Sequence, residues 1–387
     1  MEAITKEKFI ELFLKSKSFK ENRTYETFFS QISREYRICI WGAGLCGRSV
    51  YNWLTDNQVE VSCFCDNNKQ LENKEIVGNC LCISVSELRN HIDEYYVIVA
   101  VGNLWQSKEI NNQLAEFKHI FRNPLGITTY WQQTFEIEAE EAWKQFEKSR
   151  KIFDDKYSCD LYEFLFLLRF QHEVIDYPID YMEKWYSPNQ YIATDLLDYS
   201  KITSVVDCGA YTGDSLHDFI NVCDKSTKYY CYEMDKKIYE LLLTNIAKYY
   251  QGDSNVYVKN VGVGKEESVA FYVENEFGGS RISNEPTVQS ILIQPLDLLM
   301  GDNVTDFIKM DIEGAEEDAL YGASRIIDRD KPVLAISIYH NLLQFLKMPQ
   351  IIRELCKDYK LYLKHHKCTA DDTVIYAIID KNVHKRL

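Results

Sequence analysis

One ten-residue stretch limits most strongly what this chain can fold into. Phe307 to Met310 is a mainly apolar, strand-like run, and Asp311 and Glu313 follow it directly before Gly314 turns the chain toward a helix. A strand, a turn and an amphipathic helix in this order form the unit of a parallel α/β sheet. Ligands of such sheets bind beyond the carboxyl ends of the strands. The two carboxylates are therefore predicted to face a bound molecule, although acids are also common at helix starts.

The composition favours small-molecule chemistry. The 387 residues, 46% of them hydrophobic, suffice for two domains with separate cores. A net charge of −15 disfavours a nucleic acid or an anionic membrane surface as the partner, because both attract Lys and Arg. No apolar run is long enough to span a bilayer, and the first twenty residues lack the features of a signal peptide. We therefore expect a cytoplasmic protein.

The twelve cysteines are scattered along the chain, several of them inside strand-like runs. They do not form the Cys-x-x-Cys pairs with His partners that are typical of zinc sites. They also do not resemble the disulfide framework of a small secreted domain. Reduced thiols and no metal site are expected.

A first α/β unit runs from Tyr36 to Asp66. A strand over positions 37–41 leads into the glycine loop Gly42 to Gly47, and a helix and a second strand follow. This is a Gly-x-Gly-x-x-Gly pattern with an acid after the second strand, the fingerprint of dinucleotide binding. The alternative is that the glycines only permit close packing. The residues predicted to bind a nucleotide are Gly42, Gly44, Gly47 and Asp66.

The α/β pattern fades near Pro124 and resumes at Ser204, which predicts three regions. Residues 1–125 form a Rossmann-like domain, 126–200 a helical connector and lid, and 201–387 a second Rossmann-like domain. In the last region, a strand ends at Asp207, a glycine loop follows, and the next strand ends at Glu233. The two final strands have no helix-length insert between them and are expected to pair antiparallel at the sheet edge.

Three ordered motifs of this second region carry a resemblance to a known family. Val206 to Ser215, Tyr232-Glu233 and Phe307 to Glu316 together resemble the FkbM family of S-adenosylmethionine-dependent methyltransferases. The likeness spans roughly residues 186 to 380. It implies a class I methyltransferase fold, with a mostly parallel seven-stranded sheet and an antiparallel edge strand. The chain departs from the family at Gln344 to Pro349, where an Asp is usual.

The resemblance implies S-adenosylmethionine as the cofactor. Glycines let the backbone approach it, acids provide negative charge near its cationic end, and Glu233 is placed to accept hydrogen bonds from the ribose. The predicted cofactor-binding residues are Asp207, Gly209, Tyr211, Gly213, Asp214, Glu233, Met234, Asn260 and Asp311.

Methyl transfer to a hydroxyl needs in-line positioning and a group that takes one proton. His340, Asp311 and Glu313 are the candidate catalytic residues, and Lys309 and Tyr339 are candidates for orienting them. His340 is suited to the base role because the ordinary pKa of histidine is near neutrality. The sequence alone leaves the choice among the three open.

The expected function is methyl transfer from S-adenosylmethionine to a hydroxyl of a sugar or glycan precursor, in surface polysaccharide biosynthesis. The N-terminal domain is similar to nucleotide-sugar-binding domains of bacterial sugar-modifying enzymes, which suits such a substrate. A homodimer is left open. Two alternatives remain: a nucleotide-binding regulatory module without methyl transfer, and an NAD-dependent oxidoreductase that uses the N-terminal domain.

Overall fold

In the computed structural model, the described residues are 4–101, 104–122, 135–170, 183–250, 255–273, 280–283, 289–367 and 371–379. The chain divides into two compact units. The N-terminal unit comprises Met1–Trp143, Glu163–Tyr186 and Lys367–Asp371, and the C-terminal unit comprises Lys144–Tyr162, Ser187–His366 and Asp372–Leu387. Residues of the predicted connector, 126–200, are thus distributed over both units, and 126–134 and 171–182 lie outside the described residues. In the described part of the chain, no helix has the length and apolarity needed to cross a bilayer.

The N-terminal unit is built on a six-stranded sheet with the strand order β3-β4-β2-β1-β5-β6. Its neighbouring strands are parallel, except for β3 with β4. The elements are α1 (Lys6–Glu21), α2 (Thr24–Glu35), β1 (Arg37–Trp41), α3 (Leu45–Asp56), β2 (Cys63–Cys65), β3 (Glu75–Val77), β4 (Cys80–Ile83), α4 (Val85–Asn90), β5 (Tyr95–Val99), α5 (Leu104–Gln113) and β6 (Ile120–Phe121).

Strand β1 is buried on both faces, as is usual for a parallel strand. Ile38 and Ile40 belong to one hydrophobic cluster, and Cys39 and Trp41 belong to another. The second strand of this unit, predicted over Val59 to Cys65, is shorter in the structure. The amide of Val59 still donates to the carbonyl of Leu54 at the end of α3, so the strand begins only at Cys63. The eleven cysteines among the described residues are free thiols.

Helices α6 (Ala139–Arg150) and α7 (Lys156–Phe170) follow along the chain. The C-terminal unit then contains a seven-stranded sheet with the order β16-β17-β15-β14-β7-β8-β9. Its strands are β7 (Ser204–Cys208), β8 (Lys228–Glu233), β9 (Val256–Asn260), β14 (Phe307–Met310), β15 (Val333–Ser337), β16 (Lys360–His365) and β17 (Thr373–Ile378). The helices between and beside them are α8 (Asp214–Val222), α9 (Lys236–Tyr249), α10 (Leu296–Met300), α11 (Glu316–Tyr321), α12 (Ser324–Asp330) and α13 (Leu342–Leu355).

The two last strands pair antiparallel, as predicted, but the position of the antiparallel strand differs. Strand β17 is antiparallel to both β15 and β16, and it lies one place in from the edge. The edge strand β16 therefore runs in the same direction as the rest of the sheet. This arrangement follows from the short connection between β16 and β17, which permits only an antiparallel pair.

A second, four-stranded sheet lies in the same unit. It contains β10 (Gly262–Val263), β13 (Ser290–Gln294), β11 (Ser268–Val273) and β12 (Arg281–Ser283), in that order. Strand β11 belongs to this sheet and not to the main sheet. Tyr272, Ile291 and Ile293 bury one face of this sheet against Met234, whose position at the end of β8 matters for the site below.

Strand β14 occupies the centre of the main sheet. All four of its residues are buried, and it is parallel to β7 on one side and to β15 on the other. The helix predicted after it is divided into α11 and α12 at Gly322, because Asp297 donates its backbone N–H to the carbonyl oxygen of Gly322 and its carboxylate accepts the first backbone N–H groups of α12. Ala319, Leu320, Ile326 and Ile327 are fully buried.

Two glycines of the N-terminal loop provide a matched test of close packing. A Cβ at Gly47 would lie 1.8 Å from the carbonyl oxygen of Gly42, whereas a Cβ at Gly44 would meet nothing within 4 Å. We expect Gly47→Ala to lower the free energy of unfolding by at least about 1–3 kcal/mol. Gly44→Ala, at a helix N-cap, should change it by less than about 1 kcal/mol. Urea unfolding of the full chain measures both values, and equal losses would contradict this difference in packing.

Candidate active site

Asp311 lies immediately beyond the central strand β14 and accepts hydrogen bonds from three side chains. The Tyr191 hydroxyl is 2.7 Å from Oδ2, the Tyr339 hydroxyl is 3.1 Å from Oδ1, and Nε2 of His340 is 2.9 Å from Oδ1. Burial by itself would raise the pKa of Asp311, but the hydrogen bond and the charge of His340 outweigh it and lower that pKa. The carboxylate is therefore ionised at neutral pH.

His340 lies among three carboxylates. Its Nε2 is 2.9 Å from Asp311 and 3.2 Å from Oε1 of Glu316, and its Nδ1 is 3.6 Å from Oε2 of Glu313. Burial alone would lower the pKa of His340, but Glu316 and Asp311 raise it well above its ordinary value. The ring is therefore an imidazolium in this arrangement.

Glu316 has no exposed surface, and its carboxylate is held from two sides. Oε1 accepts the backbone N–H of Ile312 at 2.8 Å, and Oε2 accepts the side-chain amide of Gln344. Gln344 also donates to the carbonyl oxygen of Ser337 at 3.1 Å and accepts the backbone N–H of His340 at 3.1 Å. Gln344, the first residue of the segment predicted to depart from the family, thus orients Glu316 and the backbone of His340.

The turn between β14 and α11 separates two carboxylates. Glu313 has a left-handed backbone with φ 57°, which is uncommon for a residue with a side chain, and Gly314 follows with φ 101°. The side chain of Glu313 is 44% exposed, whereas that of Glu316 is fully buried. Glu313 is therefore the carboxylate of this turn that solvent reaches.

A buried ion pair connects this cluster with the loop after β7. Nζ of Lys309 is 2.9 Å from Oδ1 of Asp207 and donates to the carbonyl oxygen of Gly209 at 2.6 Å. It also lies 5.2 Å from the ring centroid of Tyr191. Burial would lower the pKa of Lys309, but Asp207 and Asp311 outweigh it and raise that pKa. The hydroxyl of Ser215 donates to the other oxygen of Asp207 at 2.6 Å.

Gly209 lets two loops at the carboxyl edge of the sheet touch. Its φ is 78°, and a Cβ at this position would lie 2.0 Å from the carbonyl oxygen of Asp311. Gly213, with φ 91°, is the N-cap of α8, and Asp214 begins that helix with an exposed side chain. The charge of Asp214 also contributes to raising the pKa of Lys309.

Glu233, the last residue of β8, accepts hydrogen bonds from the loops that follow β7 and β8. Oε2 accepts the backbone N–H of Tyr211 at 2.9 Å, and Oε1 accepts that of Asp235 at 2.8 Å. The Asn260 amide donates to the carbonyl oxygens of Glu233 and Met234, at 2.8 Å and 3.0 Å. Each carboxylate oxygen of Glu233 retains a second lone pair.

The structure thus arranges the predicted residues of the C-terminal region in two groups. One group surrounds His340 and the other borders the glycine loop after β7, and Lys309 bridges them. Three contributors were missed. Tyr191 is 120 positions before Asp311, and Glu316 was noted only as the last residue of a family motif. Gln344 was noted only as a departure from the family.

In the predicted N-terminal site, two of the loop glycines are closely packed and one faces open space. Gly42 has φ 116°, and a Cβ there would lie 2.5 Å from the carbonyl oxygen of Ala100. Asp66 accepts the backbone N–H of Ala43 at 2.8 Å, so one of its oxygens secures the loop. Gly44 alone of the three loop glycines faces open space, next to the first turn of α3.

Two parts of the chain are similar to known protein families. Residues 207–363 match the family model described as the Methyltransferase FkbM domain. The C-terminal region is thus similar to methyltransferases of the FkbM family. Residues 34–120 match a second model, described as C2185-like, N-terminal. The predicted family likeness, the α/β fold class and the methyltransferase class of enzyme are confirmed, whereas the ligand of the N-terminal domain stays a prediction.

The crystal structure of Methyltransferase FkbM from Methylobacillus flagellatus KT is similar along the whole chain. It is 22% identical, with a TM-score of 0.65, over 97% of this chain and 100% of that one. Aeropyrum pernix fibrillarin, solved with natively bound S-adenosyl-L-methionine, is 12% identical with a TM-score of 0.31, over 47% of this chain and 69% of that one. No curated protein sequence matches the chain.

The buried pair of Lys309 and Asp207 should contribute strongly to stability. Lys309→Met leaves Asp207 without its cation in a buried position, and such losses cost about 3–5 kcal/mol. Lys331→Met is the matched control, because Lys331 pairs with Asp358 at the surface, and it should leave stability nearly unchanged. Urea unfolding of both variants gives the comparison. A small loss for Lys309→Met would mean that Asp207 is neutral in the folded protein.

Proposed function

We propose that this protein transfers a methyl group from S-adenosylmethionine to a hydroxyl of a sugar or glycan precursor. The observation that carries the proposal is the contact between two clusters at the carboxyl edge of one sheet. The glycine loop after β7 touches the Asp311 turn through Gly209, and Lys309 bridges both. An FkbM methyltransferase domain covers this edge.

The residues present fit this cofactor, which would supply an electrophilic methyl group on a cationic sulfur. Glu233 has acceptor capacity left for the ribose hydroxyls after its two backbone contacts. Met234, packed against the small sheet, and Asn260, fixed by two carbonyl oxygens, offer a surface for the adenine. The exposed carboxylate of Asp214 provides negative charge for the cationic end.

The proton of the acceptor hydroxyl needs only a weak base. Bound S-adenosylmethionine would supply the methyl group, and the acceptor oxygen would be strongly acidic once methylated, so an ionised carboxylate would suffice to take its proton. We assign this role to the exposed Glu313. Asp311, whose oxygens already accept three side-chain donors, and His340, an imidazolium, then position the acceptor.

The sugar part of the proposal rests on the N-terminal domain. We propose that Gly44 and the first turn of α3 receive the diphosphate of a nucleotide sugar, because backbone N–H groups at helix starts favour phosphate. Asp66 would serve as a loop anchor and not as a direct ligand. Binding of NAD to the same loop is the alternative ligand.

Isothermal titration calorimetry with S-adenosylmethionine tests the cofactor. We expect binding by the wild type and at least a tenfold higher Kd for Glu233→Gln, because its amide group must face a backbone N–H of Tyr211 or Asp235. Glu240→Gln, an exposed change in α9, is the control and should bind normally. If the wild type does not bind S-adenosylmethionine, the proposed methyl transfer is rejected. Binding without any turnover would support a regulatory module instead.

Glu313→Gln tests the proton acceptor. We expect kcat to fall by about 10²-fold or more while S-adenosylmethionine binding is kept. Glu317→Gln, an exposed acid on α11, should retain normal turnover. Methylated product is measured by mass spectrometry on glycan acceptors. Normal turnover of Glu313→Gln together with loss in His340→Ala would assign the proton to His340.

Gly44→Val tests the N-terminal ligand. A Cβ at this position meets nothing within 4 Å, so the new side chain should abolish binding of uridine and guanosine diphosphate sugars without unfolding the domain. Calorimetry on the wild type and the variant measures this. A fluorescence change of NADH that Gly44→Val removes, with no nucleotide-sugar binding, would favour the oxidoreductase alternative.

A further inference from the structure

Three atoms of metal-binding type converge beside the turn that follows β14. They belong to Asp311, Glu316 and His340, each of which offers one ligand atom, and these atoms all lie within 4.8 Å of one another. Nε2 of His340 is 2.9 Å from Oδ1 of Asp311 and 3.2 Å from Oε1 of Glu316. Adjacent ligands of an octahedral ion with bonds of about 2.1 Å are separated by about 3.0 Å. The two separations also match those expected for neighbouring ligands on one ion.

The atoms around this triangle are arranged like the outer contacts of a metal site. Tyr191 donates to the remaining oxygen of Asp311, and Gln344 donates to the remaining oxygen of Glu316. The other ring nitrogen of His340 lies 3.6 Å from Glu313. In metal sites, ligating carboxylates are themselves hydrogen-bonded, and the second nitrogen of a ligating histidine faces a carboxylate or a carbonyl. Each of the three ligand residues has such a support.

The charge of the cluster also favours a cation. Asp311, Glu313 and Glu316 bring three carboxylates to one imidazole, so the group is anionic even when His340 carries a proton. The charge of Lys309 also lowers the pKa of Asp311, but Lys309 is itself paired with Asp207. A divalent ion would neutralise the negative charge that a single proton on His340 leaves uncompensated.

We propose that Asp311, Glu316 and His340 bind one divalent cation of the Mn²⁺ or Mg²⁺ type, which displaces the proton of the ion-free protein from Nε2 of His340 to solvent. Two carboxylates and one imidazole are a hard donor set that suits these ions better than soft, thiol-preferring ones. The Asp311 side chain is 22% exposed, which leaves the ion a face toward solvent for further oxygen ligands.

The cation would have a direct use in the reaction. A hydroxyl oxygen bound to it becomes more acidic and is held in place for attack. That use rests on the proposed methyl transfer to a hydroxyl, whereas the binding of the ion does not.

Electron paramagnetic resonance of Mn²⁺ tests the site directly. Full-length protein is stripped with a chelator and titrated with Mn²⁺ in the absence of S-adenosylmethionine and acceptor, and the loss of the free-ion signal gives the bound fraction. We expect one ion per chain, competition by Mg²⁺, and at least a tenfold weaker affinity for Glu316→Gln and for His340→Phe. Glu317→Gln, the neighbouring exposed acid, should bind as the wild type does.

Two outcomes would overturn the proposal. One is the absence of Mn²⁺ binding by the wild type, and the other is equal binding by all three variants. Circular dichroism and S-adenosylmethionine calorimetry on each variant separate a lost ligand from a lost fold. Because no methyl transfer takes place in the titration, a protein that binds Mn²⁺ but not S-adenosylmethionine would reject the proposed function and keep the cation site.

Discussion

The ammonium of Lys309 is the charge on which the C-terminal site depends. It lies on the central strand, directly beside Asp207 of the neighbouring strand, and there it forms a buried ion pair. The same nitrogen holds the carbonyl oxygen of Gly209 and lies near the ring of Tyr191, which in turn donates to Asp311. One cation thereby connects the glycine loop with the carboxylate turn. A buried charge is tolerated here because its partners are fixed by the sheet register.

The acids around this cation explain why the site suits positively charged ligands. Glu233 and Asp214 border the glycine loop, and the cluster around His340 contains three carboxylates. Lys309 and the imidazolium of His340 compensate only part of this charge. A sulfonium on one side and a divalent ion on the other are ligands that the remaining negative charge would stabilise.

Packing and chemistry share several of the same residues. Gly209 is needed because a side chain at this position would collide with the backbone of Asp311. Without a side chain there, the glycine loop and Asp311 can lie next to each other. In the N-terminal loop, Gly42 and Gly47 are required by contacts with the backbone, while Gly44 is not. A glycine motif therefore combines positions that serve the fold with a position that is left open for a ligand.

The sequence by itself determined the α/β fold, the central strand, and the placement of Glu233 at a strand end and of Asp311 and Glu313 beyond one, because these follow from local periodicity and from the geometry of parallel sheets. Only the tertiary structure decided which side chains meet there. Tyr191 and Gln344 reach Asp311 and Glu316 from distant parts of the chain, and hydrogen bonds of Asp297 divide a helix that the pattern shows as continuous. Such contacts depend on how separate elements pack, and periodicity along one element does not contain that information.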